Sequence, residues 1–354
     1  MASSSNNGKI WYNQITMPNL SLQAFTTLSI MLKELYGLAS VNDFTPVSGG
    51  FTTENFTFSS DNNRYFLKRY NTLDTQRIHD ITVAQERFAK GGIPVITPVR
   101  DKHGEAAFYF DDAWWGVFPF VVGQTRSSEQ LTTALTTQLG EMLGRIHQIG
   151  LTCNREGVQP ITLWNKDVFT SDKLALEYMY RHESAKREVE TVAIKNLRLQ
   201  EAFINANPLT VAELRPEIDC LIHGDFTHNN VFFTQDGRVQ ATFDLDKACL
   251  APRGYEVARS TLITCFDHGW DKKSFRLADA FLRGYLSVCP MTFEEFHHGF
   301  RIYVTHFMHM SWLEKKVILY KSKRHEPFIY SSHERLNHLL LNFNTLAKEL
   351  FPQQ

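Results

Sequence analysis

A short polar loop near residue 225 holds side chains whose types and spacing suit phosphoryl transfer. Asp225 follows His223 by two residues, and Asn230 follows Asp225 by five. Transfer of a phosphoryl group needs a residue that orients or deprotonates the attacking hydroxyl, and oxygen ligands for magnesium on the nucleotide phosphates. Asp225 fits the first role and Asn230 fits the second. The loop therefore predicts phosphoryl-transfer chemistry.

A predicted β-hairpin after this loop supplies two more acids. Residues 231–233 and 239–243 are apolar runs separated by a Gln-Asp-Gly turn, where glycine adopts positive φ at little cost. The returning strand would place Asp244 and Asp246 beside the loop. We predict Asn230 and Asp244 as magnesium ligands, and Asp246 as a residue that supports the metal through water.

The loop and hairpin together resemble the kinase-like small-molecule phosphotransferases, the group of aminoglycoside phosphotransferases and choline kinases. The motifs are His-x-Asp-x-x-x-x-Asn and Phe-Asp-Leu-Asp, and the likeness covers most of residues 40–260. It implies an α+β, bilobal protein-kinase-like fold with a small β-rich N-lobe and a larger, mainly helical C-lobe. It also implies Mg²⁺ and ATP as phosphoryl donor, with Asp225 as the catalytic residue that orients and deprotonates the acceptor hydroxyl and His223 fixing the loop by hydrogen bonding.

Residues before the loop suggest a nucleotide site. Ser48, Gly49 and Gly50 could bring backbone N–H groups near phosphate, although a glycine-containing hairpin is the ordinary alternative. Lys68 closes an apolar strand shortly afterwards, and the resemblance implies that it contacts the α- and β-phosphates. We predict Glu86 as the acid that holds this lysine, with Asp80 as the rival.

The order of the predicted elements divides the chain. We predict a flexible arm at 1–18, an N-lobe at 19–122 with the nucleotide-binding sheet, and a C-lobe at 123–354 with the catalytic loop and acceptor site. Adenine would stack and bond to the backbone near Phe120 and Val121, which follow a predicted hairpin.

The C-lobe gives few clues to the acceptor. Glu256 loosely matches an acid that ties down the catalytic loop in the family, and Asp267, His268 and Trp270 are candidate acceptor contacts. His306 and His309 lie one helical turn apart, which favours a histidine-bearing amphipathic helix over a metal site.

Composition bounds the protein class. The chain has 354 residues, a formal net charge of −1 and 43% hydrophobic residues, which gives no support for a nucleic-acid or membrane-surface binder. The five cysteines are scattered and no signal-peptide pattern is present, so we predict a soluble cytoplasmic protein, monomeric or homodimeric.

Several acceptors remain open: an amino alcohol, a homoserine-like compound, a sugar or an antibiotic. Lys and Arg outnumber Asp and Glu from residue 251 onward, which disfavours a polycationic aminoglycoside. The alternative from another class is a kinase-fold nucleotide-binding or scaffold protein without turnover. The presence of Lys68, Asp225, Asn230 and Asp244 argues against it.

Overall fold

The computed structural model describes residues 21–47, 53–208, 210–214, 220–267 and 269–353. The predicted arm at 1–18, the predicted phosphate contacts Ser48, Gly49 and Gly50, and His268 lie outside these residues. The chain forms two compact units, a first one within 1–82 and 96–122 and a second one within 83–95 and 123–354. No helix of the described residues is long and apolar enough to cross a membrane.

The first unit contains an antiparallel sheet and a helix that packs on it. Its elements are α1 (Leu22–Tyr36), β1 (Asn42–Val47), β2 (Thr53–Ser60), β3 (Asn63–Tyr70), β4 (Phe108–Phe110) and β5 (Ala113–Pro119). The strand order is β1-β2-β3-β5-β4. Helix α2 (Thr75–Lys90) begins in the first unit and ends in the second. These elements confirm the predicted β-rich N-terminal region.

Alternation along the strands builds the core of the first unit. Phe56 and Phe58 on β2 point to the same face, because strand side chains alternate with a period of two. They are buried with Trp115 of β5 and with Leu28 and Leu32 of α1. Strand β3 pairs with both β2 and β5 and therefore lies inside the sheet. A polar side chain near the end of β3 is flanked by residues of both neighbouring strands.

The second unit is mainly helical, as predicted. Its helices are α3 (Thr133–Thr152), α4 (Lys166–His182), α5 (Glu188–Ala206), α6 (Val211–Leu214), α7 (Arg253–Cys265), α8 (Lys272–Val288), α9 (Phe293–Met308), α10 (Trp312–Ile318), α11 (Glu326–Asn342) and α12 (Leu346–Leu350). Its strands are β6 (Cys220–Ile222), β7 (Val231–Phe233), β8 (Val239–Thr242) and β9 (Cys249–Ala251).

Helices α3 and α8 cross at very close range because glycines remove side chains from the contact. A Cβ added at Gly140 of α3 would lie 2.0 Å from the carbonyl oxygen of Phe281, and one at Gly284 of α8 would lie 2.2 Å from that of Thr137. No larger residue fits either position. This contact anchors α3, which carries His147, and α8, which carries Tyr285.

Two small antiparallel pairs frame the predicted catalytic loop. Strand β6 pairs with β9, and β7 pairs with β8. The loop at 223–230 leaves β6 and enters β7, while residues 243–248 connect β8 to β9. The hairpin predicted from the sequence is therefore confirmed, and its second strand delivers Asp244 directly after Thr242 and Phe243.

Candidate functional site

The loop after β6 can take its shape only with glycine at its second position. Gly224 has φ +81°, and a Cβ there would lie 1.9 Å from the carbonyl oxygen of Lys247. Positive φ and close backbone approach both exclude larger residues. The His-Gly-Asp sequence is thus a steric requirement for packing the loop against the segment that follows β8.

His223 is fully buried and holds the loop together through hydrogen bonds. Its Nδ1 accepts from the backbone N–H of Asp225 at 3.3 Å, so Nε2 carries the proton and donates to the carbonyl of Phe243 at 3.0 Å. Burial lowers the pKa of His223, which keeps the ring neutral. The imidazole therefore fixes the position of Asp225 against the end of the hairpin.

A buried series of hydrogen-bonded polar side chains supports the same loop. Glu256 of α7 accepts hydrogen bonds from the backbone N–H groups of His223 at 3.0 Å and Phe226 at 3.4 Å. The Nε2 of His147 donates to Glu256 at 3.0 Å, and the hydroxyl of Tyr285 lies 2.9 Å from the Nδ1 of His147. Burial would raise the pKa of Glu256, but the hydrogen bond and charge of His147 outweigh it and hold that pKa below its usual range.

The carboxylate of Asp225 forms ion pairs with two cations. Lys247 Nζ lies 2.8 Å from Oδ2, and Arg259 of α7 donates to Oδ1. Burial alone would raise the pKa of Asp225, but the charges of Arg259 and Lys247 dominate and hold it well below its usual range. The group is therefore ionised and able to accept a further hydrogen bond from a hydroxyl.

Asn230 and Asp244 are brought together by the backbone. The Asn230 amide nitrogen donates to the carbonyl of Asp225 at 2.8 Å, so its amide oxygen is the atom that remains for another partner. The N–H of Phe243 donates to the carbonyl of Asn230 at 3.0 Å, which sets Asp244 beside it. Asp244 adopts φ +63°, in the left-handed region that Asp enters more readily than most residues.

These donors fit a hard cation. Amide and carboxylate oxygens are the ligands that magnesium takes from proteins, usually one or two carboxylates with the rest of the shell filled by phosphate and water. Asn230, Asp244 and the half-buried Asp246 offer such atoms. Among the described residues no group of three or more His, Cys, Asp or Glu side chains could hold a metal.

Among the predicted nucleotide-site residues, Lys68, Phe120 and Val121 lie in the first unit, whereas Glu86 lies in the second. Lys68 of β3 is buried between β2 and β5, opposite Asn55 and Gly116, and its Nζ lies 5.2 Å from the ring centroid of Tyr70.

Phe120 and Val121 directly follow β5. The backbone N–H of Phe120 donates to the carbonyl of Arg64 at 3.2 Å, and the guanidinium of Arg64 lies 4.3 Å from the centroid of the Phe120 ring. This aromatic ring is consequently held in place by strand β3.

Burial distinguishes the two acids predicted to hold Lys68. Glu86 of α2 is exposed, whereas Asp80 of the same helix is fully buried, accepts from Gln76 at 2.9 Å and pairs with Arg77 at 3.5 Å. A buried carboxylate and a buried ammonium need an opposite charge nearby. Burial therefore favours Asp80 over Glu86, and the choice between them stays a prediction.

Sequence reasoning did not identify Lys247 or Arg259. Lys247 directly follows the Phe-Asp-Leu-Asp motif, and Arg259 lies one helical turn after Glu256 on α7, where side chains share a face. That spacing is the signal that could have found Arg259, because Glu256 was already expected to face the loop.

The geometry agrees with comparisons to known proteins. Two solved structures share the fold, each over 93% of this chain and each with a TM-score of 0.63. One is the amicoumacin kinase hAmiN, with 15% identity and 95% of its chain covered. The other is a microcompartment-associated aminopropanol kinase, with 13% identity and 99% covered. Both define a kinase-like phosphotransferase fold.

Sequence comparison assigns the family. Residues 43–296 match the family model described as the phosphotransferase enzyme family, and the chain belongs to this family. A homoserine kinase of Polaromonas naphthalenivorans is 24% identical over 262 residues, which cover 73% of this chain and 77% of the relative. The protein is thus a small-molecule kinase, an ATP-dependent phosphotransferase.

Proposed function

We propose that the protein transfers the γ-phosphate of ATP to the hydroxyl group of a small amino acid, with homoserine as the acceptor type. The arrangement around Asp225 carries this proposal, because an ionised carboxylate is held rigidly beside Asn230 and Asp244. The homoserine kinases that it resembles act in name on this type of acceptor. Homoserine has a primary hydroxyl, an amine and a carboxylate on one short chain.

Each predicted residue has a role in this proposal. The carboxylate of Asp225 accepts a hydrogen bond from the acceptor hydroxyl, orients it and takes its proton as the phosphoryl group is transferred. His223 and Glu256 keep that carboxylate in place by fixing the loop backbone. Lys68 offsets the charge of the nucleotide phosphates, and Asp80 keeps Lys68 positioned.

Magnesium and ATP fit the remaining residues. Asn230 and Asp244 would hold the metal, with Asp246 assisting through water, and the bound cation would neutralise charge on the phosphates. The amicoumacin kinase structure contains an ATP analogue with Ca²⁺, which supports a nucleotide with a divalent ion as donor. Adenine would lie against Phe120 and Val121, as the order of elements suggests.

An antibiotic is the second candidate for the phosphoryl acceptor. Its support is the structural likeness to antibiotic phosphotransferases, which is a likeness of fold at 13–15% identity. The two cations on Asp225 disfavour an acceptor that is itself polycationic, because like charges would meet in a partly buried site. We therefore favour the amino acid.

A phosphorylation screen tests the proposal. The protein is incubated with Mg-ATP and, separately, with homoserine, aminopropanol, choline, a hexose and an aminoglycoside, and new phosphate esters are followed by ³¹P NMR. We expect a phosphomonoester with homoserine at the highest rate. Stabilisation by Mg-ATP in a thermal-shift assay with no ester from any hydroxyl compound would instead favour a scaffold without turnover.

A further inference from the structure

Asp225 is held by two cations, and it is also the residue that must meet the acceptor. Lys247 engages one carboxylate oxygen and Arg259 engages the other. Each carboxylate oxygen has a second lone pair, so the acceptor's hydroxyl can donate to Asp225 while both cations stay in place. The acceptor therefore meets Asp225 next to these two cations.

Arg259 is the cation that the structure equips for a second partner. Its side chain is only 11% exposed, and its second terminal nitrogen, Nη1, is buried and has no hydrogen-bond partner among the described residues. A buried donor without a partner costs free energy, so a ligand that satisfies it gains affinity. Lys247 is 61% exposed, and water can satisfy its ammonium without any ligand.

The neighbours of Arg259 also favour a negative ligand. Tyr255 and the ring of His306, on α7 and α9, have centroids 6.0 Å apart, and the Nδ1 of His306 is buried without a partner in the described part of the chain. Burial, together with the positive charges of His309, Arg259 and Lys247, lowers the pKa of His306 to about 4. The region beside Asp225 thus contains donors and positive charge.

We propose that Arg259 binds the carboxylate of the acceptor and so places the acceptor's hydroxyl against Asp225. The inference rests on the proposed function and deepens it, since it restricts the acceptors to hydroxylated carboxylates. One terminal nitrogen of the planar guanidinium stays on Asp225, and Nη1, which has no partner among the described residues, donates to the acceptor's carboxylate. An acceptor lacking the carboxylate loses this anchor and is phosphorylated poorly.

Two acceptors that differ only in the carboxylate provide the test. Homoserine and 3-aminopropan-1-ol share the hydroxyl and the amine, and kcat/KM is measured for each with Mg-ATP. Wild type should prefer homoserine. In Arg259→Gln the ratio of the two kcat/KM values should fall about 10- to 100-fold, the range expected for losing a charged hydrogen-bond partner.

Matched variants separate anchoring from general charge and from folding. Lys247→Met removes the other cation from Asp225 and should preserve the ratio of the two kcat/KM values. Arg145→Gln makes the same Arg-to-Gln change at the surface, where Arg145 pairs with Glu141, and is the control for the substitution itself. Should Arg259→Gln not fold by circular dichroism, Arg259→Lys keeps the charge without the planar fork and should reduce the ratio several-fold. Calorimetry without nucleotide should show homoserine binding to wild type and weaker binding to the Arg259 variant.

Each other outcome is decisive. An equal loss of kcat/KM for both acceptors in Arg259→Gln would mean that Arg259 only positions Asp225, and this would overturn the inference. A fall of the acceptor ratio in Lys247→Met as large as that in Arg259→Gln would mean that any nearby cation suffices, and this would overturn it too. A wild-type preference for aminopropanol also overturns it while the kinase proposal stands. If wild type phosphorylates neither acceptor nor any other hydroxyl compound, the proposed function fails, and the inference fails with it.

Discussion

Replacing Gly224 by alanine should damage the catalytic loop far more than the same change at another glycine of equal conformation. The added Cβ would lie 1.9 Å from the carbonyl oxygen of Lys247 and 2.4 Å from its carbonyl carbon. Carbon and oxygen atoms do not approach so closely, so the two backbone segments must separate by about 1 Å. The displaced segments carry Asp225 and Lys247.

The magnitude follows from two separate costs. Positive φ costs an alanine about 1–2 kcal/mol, and forcing apart packed backbone costs about 1–3 kcal/mol more. Gly237 is a matched control, because its φ is also +81° while the nearest atom to an added Cβ is a Leu135 methyl carbon at 3.6 Å. Gly237→Ala therefore reports the conformational cost alone.

Urea denaturation and steady-state kinetics measure the two effects. Gly224→Ala should lose roughly twice the unfolding free energy lost by Gly237→Ala. Its kcat should fall about 100-fold, because a shift of about 1 Å in a catalytic group has that effect. Gly237→Ala should retain kcat. Equal stability losses, with kcat unchanged in both variants, would refute the steric account of the His-Gly-Asp loop.

Two further predictions concern buried acids of the second unit. Glu256→Gln keeps one acceptor oxygen but turns an amide N–H toward a backbone N–H whose hydrogen bond Glu256 now accepts. The free energy of unfolding should therefore fall by about 1–3 kcal/mol in chemical denaturation, and kcat should fall as well. An unchanged unfolding free energy and an unchanged kcat would contradict the role of Glu256 as the support of the loop. Burial raises the pKa of Glu314 to about 7, above the value near 4.5 in the unfolded chain. The folded state thus binds the proton more tightly, and the stability from this group is full below about pH 4.5 and lost as pH rises to 7. Glu314→Gln should match wild type near pH 4.5 and exceed it by about 3 kcal/mol at pH 8, and a pH-independent difference in melting would exclude this titration.

Local features of the fold were predictable because neighbouring residues determine them. The helix at Leu22–Tyr36 begins at Ser21, whose hydroxyl accepts from the N–H of Ala24, and ends at Gly37 with φ 65°. The hairpin of β7 and β8 follows from alternating apolar runs and a glycine turn. These signals require no knowledge of distant chain segments.

Contacts between distant segments were not predictable in the same way. His147 and Tyr285 are 138 residues apart in sequence, and only the close crossing of α3 and α8 joins them. Neither the residue types nor their spacing in the sequence indicates that contact. The choice between Asp80 and Glu86 likewise depends on how α2 packs against the rest of the chain, because the two acids lie on different faces of that helix.

The pairing of Asp225 with Arg259 shows the same limit at the site itself. The sequence identified the carboxylate from its position in the loop, but its environment depends on how α7 packs under that loop. Two cations make Asp225 a strongly ionised group, which a motif alone does not reveal.

The central claim is that Asp225 acts on the acceptor and not on the nucleotide, and one comparison tests it most directly. Single-turnover transfer of phosphate from Mg-ATP to homoserine is measured by rapid quench in wild type and Asp225→Ala, and Mg-ATP binding to both is measured by calorimetry. We predict a rate loss of about 100- to 10,000-fold, with the Kd for Mg-ATP changed by less than about threefold. Equal transfer rates in the two proteins would contradict the account.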